Sequence, residues 1–513
     1  MSAEDVSLAE LLAALSVATD LGMGQEPEKA VRACLVATHL ARAMDVPERD
    51  VHDVYYCTLL QHLGCTAPAH ETTHLFGDDL AVLPQAERTD EASLRETLAL
   101  MTLVGKGTGM GRVRHLARTL GAGKEGPGRI MRAVCEVGAR LADRLGLGGG
   151  VRDGLFHAVE TWDGRHGVHG LAGQDIAQPA RFSAVATQAV IFDRLGGKGA
   201  AMEMVRRRAG AWFDPAVAAT FTRMGEGVLR WLADVDVWAE VIAAEPQPAR
   251  HIPASRLDTV AAAFADMVDL KTPFTLGHSS GVAEVAAGAA QRLELSAGQV
   301  ERIRLAALLH DLGRVAMPNA VWEKPGPLTT SQWEGVRLHA YHGERILARS
   351  TLLEPLGRIV GRHHERQDGS GYHRGATGAE LSVEARLLGV ADAFQAMTQP
   401  RPHRPALEPA EAASLIESSA VAGSFDPECA RAVVEAAGQR PNGRRGVWPA
   451  GLSDREVEVL RLVARGQSNR EVAASLVISP RTAEHHVQHI YAKIGISTRA
   501  AAALFAMEHG LLW

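Results

Sequence analysis

Apolar residues recur every three or four positions along most of the chain, the spacing that places them on one face of an α-helix. The segment leading to His310 is an example, because Val300, Ile303 and Ala307 share one face there. No set of segments alternates apolar and polar residues in the way that half-buried strands do. The pattern therefore predicts an all-α protein.

Two stretches rich in proline and arginine interrupt this pattern. EPQPARHIPAS and GQRPNGRRGVWPAG lack apolar periodicity, and such breakers with unpaired charges are typical of linkers. A length of 513 residues also favours about three domains. We therefore predict domains at residues 1–245, 257–438 and 451–513, joined by linkers at 246–256 and 439–450.

The composition, 46% apolar and 22% charged, is that of an ordinary globular protein. The sequence contains no stretch that could span a membrane, and its start does not resemble a signal peptide. Five scattered cysteines without C-x-x-C spacing favour a reducing compartment. We therefore expect a cytoplasmic protein that does not bind membranes. Its net charge of −6 does not favour nucleic-acid binding, so any DNA contact must come from local geometry.

Seven side chains of metal-binding types lie in the central predicted domain. They are His278, His310, Asp311, His339, His363, His364 and Asp392. Neutral imidazoles and carboxylates suit Fe, Mn or Zn, and two such ions can hold a phosphate and activate water. The set predicts a two-metal hydrolytic site.

The order and spacing of these residues resemble the HD-GYP family of HD phosphohydrolases. The text between the ligands fits as well, in KPGPLT (324–329), HHERQDGSGY (363–372) and ADAFQAMT (391–398). The resemblance implies an all-helical domain that holds two or three metal ions and hydrolyses cyclic di-GMP. Other phosphate esters and cyclic dinucleotides stay open, because loops that spacing does not describe decide the substrate.

The resemblance also implies roles for individual residues. Asp311 would bridge two ions, because a carboxylate has two oxygens. The other ligands divide into His278, His310 and Asp392 for one ion and His339, His363 and His364 for the second. Tyr372 matches a position near a guanine-binding cleft, while Arg401 and Arg404 match positions that bind the substrate phosphates.

Three positions depart from the family pattern. Arg314 replaces a lysine; with Asp311 it is a predicted catalytic residue, but a guanidinium can stabilise phosphate charge without donating a proton. His373 replaces the proline of the GYP signature, beside Gly371 and Tyr372. Phe274 stands where members with a third ion carry glutamate, so we expect two ions, Fe or Mn before Zn. The intact ligands favour turnover, whereas Arg314 and His373 favour a domain that senses a nucleotide without cleaving it.

The first predicted domain resembles a degenerate copy of the second. LLQHLG (59–64) matches LLHDLG (308–313), and ETWDGRHGVHGLAG (160–173) matches ERQDGSGYHRGATG (365–378). Other residues stand at the positions that match the ligands. They are Lys29 for His278, Gln61 for His310, His62 for Asp311, Ala158 and Val159 for His363 and His364, and Thr187 for Asp392. We therefore predict two tandem HD-like helical bundles, the first without metal. Such a domain can still fold, pair with its neighbour or bind a small molecule.

The segment 451–513 carries the start and stop signals of four short helices. Ser453 and Glu456 match a capping box before a helix over 454–464, and Gly466 ends it. A second helix follows Ser468, a third covers 481–494 after Pro480, and a fourth covers 498–509. The whole segment resembles the LuxR-type helix-turn-helix domain. The remaining alternative is a four-helix interaction module that does not bind DNA.

The resemblance implies that the third helix enters the major groove of DNA. Ala483, Glu484 and His485 would reach base edges, although Glu484 is equally well explained as a solvated surface group. Phosphate contacts are predicted for Arg481, Thr482, Lys493 and Arg499. The family pairs through its last helix, which predicts a homodimer through Ala502, Leu504 and Phe505.

Overall fold

The computed structural model describes residues 5–90, 93–106, 111–123, 125–438 and 448–512. Within these ranges the chain is built from α-helices, and the predicted fold class is confirmed. The chain divides into two compact units between Arg256 and Leu257. The second predicted domain begins at this position. Most of the second predicted linker, at 439–447, lies outside the described residues.

The first domain is a helical bundle closed by one short pair of strands. Its strands are β1 (Val6–Ser7) and β2 (His251–Ile252), which pair antiparallel, so the predicted linker at 246–256 includes an ordered strand. Its helices are α1 (Leu8–Gly22), α2 (Lys29–Ala43), α3 (Glu48–Leu59), α4 (Ala69–Phe76), α5 (Asp79–Arg88), α6 (Leu94–Leu103), α7 (Gly111–Ala122), α8 (Glu125–Leu145), α9 (Gly149–Phe156), α10 (Gln178–Arg208), α11 (Pro215–Asp234) and α12 (Val237–Ala243).

The second domain is also a helical bundle. Its helices are α13 (Leu257–Asp269), α14 (His278–Arg292), α15 (Ala297–Leu309), α16 (Asn319–Trp322), α17 (Thr330–Leu347), α18 (Glu354–Val360), α19 (Val383–Met397), α20 (Pro409–Val421) and α21 (Pro427–Ala437). Capping boxes start α15 at Ser296 and α17 at Thr329. The predicted apolar face of α15 is buried at Ile303 and Ala307, which fixes the position of the His310-Asp311 pair at its end.

The third domain contains four helices at the predicted places. They are α22 (Asp454–Ala464), α23 (Asn469–Leu476), α24 (Pro480–Ile494) and α25 (Arg499–Glu508). The predicted capping box at Ser453 is present, and Ser468 forms a second one at the start of α23. The glycine predicted to end the first helix is also present, because Gly466 follows α22 with φ +81°.

The two HD-like domains share hydrogen bonds at matching positions, which supports the internal repeat. The Glu160 carboxylate accepts the backbone N–H of His169 at 2.9 Å, and the matching Glu365 accepts that of Arg374 at 2.7 Å. Both bonds close the loop that lies within the second sequence match. Because a buried carboxylate needs donors, each glutamate holds its loop in one conformation.

A matching ion pair fixes the next helix in each domain. Arg181 donates to Asp214 at 2.8 Å in the first domain, and Arg386 donates to Asp426 at 2.9 Å in the second. Each aspartate also caps the helix that follows it, α11 or α21. The ligand positions have therefore changed on a retained framework.

Candidate metal centre and DNA-binding surface

Five helices of the second domain bring the seven predicted ligands together. His278 starts α14, the His310-Asp311 pair follows α15, His339 lies within α17, the His363-His364 pair follows α18, and Asp392 lies within α19. Six of the seven side chains are buried and His364 is partly exposed. Residues that are up to 114 positions apart in the sequence thus form one cluster.

Two groups of three have possible ligand atoms close together, namely His278, His310 and Asp392, and His339, His363 and His364. A third group, of His310, Asp311 and His363, connects the two. In the first group the His278 Nε2 lies 3.1 Å from the Asp392 Oδ1, and the His310 Nε2 lies 3.8 Å from it. In the second group the Nε2 atom of His339 lies 3.3 Å from that of His363. This is the division implied by the family resemblance.

Asp311 lies between the two groups. Its Oδ1 is 3.6 Å from the His339 Nε2, and its Oδ2 is 3.5 Å from the His310 Nε2. Each carboxylate oxygen therefore faces a different group of ligands. This is the placement that a bridging carboxylate requires.

Backbone carbonyls orient three of the imidazoles. His310 donates from Nδ1 to the Ala307 carbonyl at 2.7 Å, and His363 donates to the Val360 carbonyl at 2.6 Å. His339 makes the same contact with the carbonyl three residues before it. Because a carbonyl only accepts, the proton lies on Nδ1 and the Nε2 lone pair points into the cluster, as metal-ligating histidines require.

One observation tests directly whether these residues fit a metal. The His310 Nε2 is buried and has no hydrogen-bond partner among the described residues. Buried polar atoms are normally satisfied, so an unpartnered lone pair facing Asp311 and Asp392 fits a bound cation. The donor set of imidazoles and carboxylates fits divalent ions.

The electrostatics keep the ligands in their metal-binding protonation states. Burial, and after it the neighbouring imidazoles of His310 and His339, lowers the pKa of His363 to about 3. Burial alone would raise the pKa of Asp311, but the Arg314 guanidinium and the imidazoles hold it well below its usual range. His363 is therefore neutral and Asp311 is ionised near neutral pH.

Arg314 lies beside the bridging aspartate. Its Nη1 donates to the Asp311 Oδ2 at 3.0 Å, and its guanidinium carbon lies 4.0 Å from the centre of the Trp322 ring. Trp322 in turn donates from its indole nitrogen to the Arg314 carbonyl at 3.2 Å. The indole therefore fixes the guanidinium over the cluster.

The two predicted phosphate-binding arginines differ in their surroundings. Burial, and after it the charge of Arg314, lowers the pKa of Arg401 to about 10, so it remains charged and close to the cluster. Its Nη1 donates to the Phe274 carbonyl at 3.0 Å. Arg404 instead donates to four backbone carbonyls around the end of α19, including that of Ala396 at 2.6 Å. Its guanidinium is thus occupied by the fold, as a C-terminal cap.

The loop with the altered GYP signature lies against the cluster. The Tyr372 ring centre is 4.6 Å from that of His364, and burial raises the pKa of the Tyr372 phenol. The imidazole of His373 lies against Tyr341, with ring centres 5.8 Å apart. Tyr341 thus holds this position of the loop in the absence of the proline.

Gln399 is a site residue that the sequence analysis did not identify. Its Oε1 accepts from the His278 Nδ1 at 2.9 Å and gives that imidazole the orientation that the carbonyls give to the others. The sequence holds no clear signal for this contact, because Gln399 is 121 positions from His278. Trp322 was also missed, although it lies only eight positions after Arg314.

The matching place in the first domain holds an ion pair. The Lys29 ammonium donates to the Glu87 Oε1 at 2.7 Å and contacts the His62 Nε2, which lies 3.1 Å from the same oxygen. Thr187 donates to Gln61, which repeats the neighbourhood of Asp392 and His310. Lys29 and Glu87 are almost completely buried. The described residues of this domain include no group of three that could hold a metal.

Two matching glycines identify the residue of the first domain that corresponds to His339. A Cβ atom on Gly64 would lie 2.0 Å from the Val134 carbonyl oxygen, and one on Gly313 would lie 2.0 Å from the His339 carbonyl oxygen. The two close approaches match, so Val134 stands in the place of His339. The middle part of the repeat was too divergent for the sequence to show this.

In the third domain, α24 exposes only part of the surface predicted to contact DNA. Arg481, Thr482, Glu484 and His485 are exposed, whereas Ala483 is fully buried with the apolar side of the helix. The Ala483 side chain is therefore not available to a base edge.

Two predicted phosphate contacts are engaged within the domain. Lys493 donates to Glu456 at 2.6 Å, and Arg499 donates to the Gln467 carbonyl and, at 2.9 Å, to Asn469. The predicted pairing residues of α25, namely Ala502, Leu504 and Phe505, are buried within the single chain.

Two family models match the chain. The HD domain matches residues 262–429, and the model of bacterial regulatory proteins of the luxR family matches residues 450–506. With the buried ligand cluster, these matches define a metal-dependent HD-domain phosphohydrolase joined to a LuxR-type helix-turn-helix domain.

The relatives identify the family more closely. The chain is 30% identical to 3'3'-cGAMP-specific phosphodiesterase 3 of Vibrio cholerae over 444 residues, which cover 85% of this chain and 95% of that protein. It therefore belongs to the HD-GYP family of phosphodiesterases. A solved structure of a cyclic GMP-AMP specific phosphodiesterase from V. cholerae superimposes with a TM-score of 0.60 at 26% identity, covering 85% of this chain and 99% of that one.

A second relative matches a shorter part of the chain. The chain is 36% identical to a cyclic di-GMP phosphodiesterase of Pseudomonas aeruginosa over 184 residues. These residues cover 35% of this chain and 44% of that protein. Among the described residues, the helices include none that is both long and apolar enough to cross a membrane.

Proposed function

We propose that this protein is a cytoplasmic regulator that hydrolyses a cyclic dinucleotide and couples this reaction to DNA binding. The observation that carries the proposal is the pair of three-residue ligand groups with one Asp311 oxygen facing each. Cyclic di-GMP is the substrate that the family resemblance implies. The relative that matches both HD-like domains acts on 3'3'-cGAMP, which makes that nucleotide the second candidate.

The seven predicted ligands would have distinct roles in phosphodiester hydrolysis. His278, His310 and Asp392 would hold one divalent ion, His339, His363 and His364 the other, and Asp311 would bridge them. When bound, two such ions supply Lewis acidity that activates water and neutralises phosphate charge. Fe or Mn suits this mixture of imidazoles and carboxylates best, with Zn as the third candidate.

Arginines surround the place where the phosphate would bind. Arg314 lies close enough to Arg401 that its charge lowers the pKa of Arg401, and both arginines lie near the acidic ligands. Two guanidiniums in one buried region favour a doubly substituted phosphate with dispersed negative charge. Arg404 would act indirectly, by holding the turn after α19 that carries Arg401.

The first test combines metal analysis with product formation. The purified full chain should contain two equivalents of transition metal and should linearise cyclic di-GMP or 3'3'-cGAMP, as followed by chromatography. The variant Asp311→Ala should contain less metal and give no product. A wild-type protein that holds metal but converts neither nucleotide would contradict the enzymatic function.

The contacts of Arg314 favour a second candidate, a nucleotide sensor without useful turnover. Its guanidinium is held by Asp311 and Trp322, and it cannot donate a proton to a leaving oxygen as a lysine can. A tight complex with cyclic di-GMP, no product, and a large gain of hydrolysis in Arg314→Lys would favour the sensor. Unchanged hydrolysis in that variant would show that this position is not limiting.

The exposed face of α24 supports the proposed output through DNA. Glu484 and His485 would reach base edges in the major groove, and Arg481 and Thr482 would contact phosphates. Lys493 and Arg499 would contribute to phosphate binding after exchanging their present partners. We propose that a homodimer binds DNA, with pairing through Ala502, Leu504 and Phe505 once α25 is uncovered. If His310→Ala leaves DNA binding unchanged with and without nucleotide, the coupling does not exist.

A further inference from the structure

Two exposed histidines lie on the solvent side of α24, the helix predicted to enter the major groove. The apolar side of this helix buries Ala483, Val487 and Ile490, and His485 and His489 lie on the opposite side. The ring centres of the two histidines are 4.4 Å apart, and the rings are tilted by 47°. The two imidazoles therefore lie side by side at the surface.

The spacing and the side-chain type suit a metal ion. Residues four positions apart on a helix share one face, and two histidines with this separation can bind one zinc ion. Imidazole nitrogens are good ligands for Zn²⁺, Ni²⁺ and Cu²⁺. Because His485 and His489 are exposed, water can occupy the other positions around an ion. The pair thus combines ligand type, spacing and access.

The charges around the pair leave room for a cation. Glu484, which precedes His485, is exposed and negative. Lys493, one turn after His489, pairs with Glu456 at 2.6 Å, so its charge is offset. Arg481, one turn before His485, opposes a cation, but it is exposed and therefore screened by water and salt.

A bound ion would change how α24 fits DNA. The major groove is about 12 Å wide and an α-helix with its side chains is about 10–12 Å across, so little room is left for a hydrated ion on the helix. The ion would also engage the imidazole of His485, which is predicted to reach a base edge. Both effects oppose insertion of the helix into the groove.

We propose that His485 and His489 bind one divalent transition metal ion, and that this ion weakens DNA binding. The ion is additional to those of the candidate metal centre, because both ligands belong to the helix-turn-helix domain. The site itself depends only on the geometry of α24, whereas its effect on DNA rests on the proposed function.

Dialysis of the full chain against Zn²⁺ tests the site. The wild type should bind one equivalent more than His485→Gln or His489→Gln. The matched control is His509→Gln, because His509 is another exposed histidine of this domain and stacks against Phe505. This control should bind as much Zn²⁺ as the wild type. Equal Zn²⁺ binding by the wild type and the two α24 variants would overturn the proposal.

DNA binding tests the effect of the ion. The probe is a duplex that the full chain selects from a random pool without added Zn²⁺. Added Zn²⁺ should weaken binding of this duplex about tenfold in the wild type and less than about twofold in His489→Gln, which retains the predicted base contact of His485. Bound Zn²⁺ with unchanged DNA affinity would overturn the effect on DNA. If no duplex is selected, the proposed output through DNA is contradicted, and the dialysis still decides the metal site.

Discussion

The two HD-like domains balance their buried carboxylates with positive charge in different ways. In the second domain, neutral imidazoles and two ionised aspartates leave a buried negative cluster with an unpartnered nitrogen on His310. In the first domain, the ammonium of Lys29 stands in the place of His278 and pairs with Glu87. A buried carboxylate needs positive charge, which Lys29 supplies in the first domain and which Arg314 and bound metal would supply together in the second.

The first domain kept its framework of hydrogen bonds and ion pairs although it lost the metal ligands. Glu160 and Glu365, and the pairs Arg181–Asp214 and Arg386–Asp426, still hold equivalent loops. The framework was therefore kept while the centre changed from a metal site to an ion pair. We expect the first domain to be independent of metal and the second to depend on it.

The largest effect should follow removal of the bridging carboxylate. Asp311→Ala removes the one ligand that faces both groups, so hydrolysis should fall about a thousandfold, equivalent to about 4 kcal/mol. The matched control is His62→Ala in the first domain, which changes the counterpart of Asp311. Turnover and metal content should be measured together; an equal loss of turnover in both variants would contradict the division of roles.

The next largest effect concerns the stability of the first domain. Lys29→Met leaves Glu87 buried without its cation, which should lower the free energy of unfolding by about 3–5 kcal/mol. Denaturant unfolding of the full chain measures this change, with Lys106→Met as control because Lys106 is exposed.

A double variant distinguishes a lost charge partner from lost packing. Lys29→Met combined with Glu87→Leu removes both charges and should recover most of the stability, because replacing both partners of a buried pair is often neutral. If the double variant is as unstable as Lys29→Met, the ion pair is not what replaces the metal.

The seven predicted ligands come together in the structure, and the sequence could indicate them because each is a rare residue type in a recognisable segment. The partners of those ligands were not predictable, since Gln399 and Glu87 reach the centres through contacts that no spacing describes. Arg404 matched a family position, yet its donors are used by carbonyls at the end of α19. The burial of Ala483 could have been predicted, because it shares a helical face with Val487.

A smaller effect should come from the amide that orients a ligand. Gln399→Leu removes the acceptor for the His278 Nδ1 and keeps the other contacts of that imidazole, so metal affinity should fall about ten- to a hundredfold. Competition with a chelator measures it. The counterpart test in the first domain is addition of the same chelator, which should leave its unfolding transition unchanged. A shift of that transition would contradict the independence of the first domain from metal.

The smallest effect should be the pH dependence of the first-domain ion pair. Burial alone would raise the pKa of Glu87, but Lys29 and His62 lower it well below its ordinary value. A lowered folded-state pKa adds stability above the unfolded pKa of about 4.3, and this stability is lost as the pH falls through the folded value. The destabilisation caused by Glu87→Gln should therefore shrink by about 1 kcal/mol or more between pH 7 and pH 3. Equal destabilisation at both pH values would mean that Glu87 acts through hydrogen bonds alone, and that the positive charge of Lys29 does not take the place of the metal.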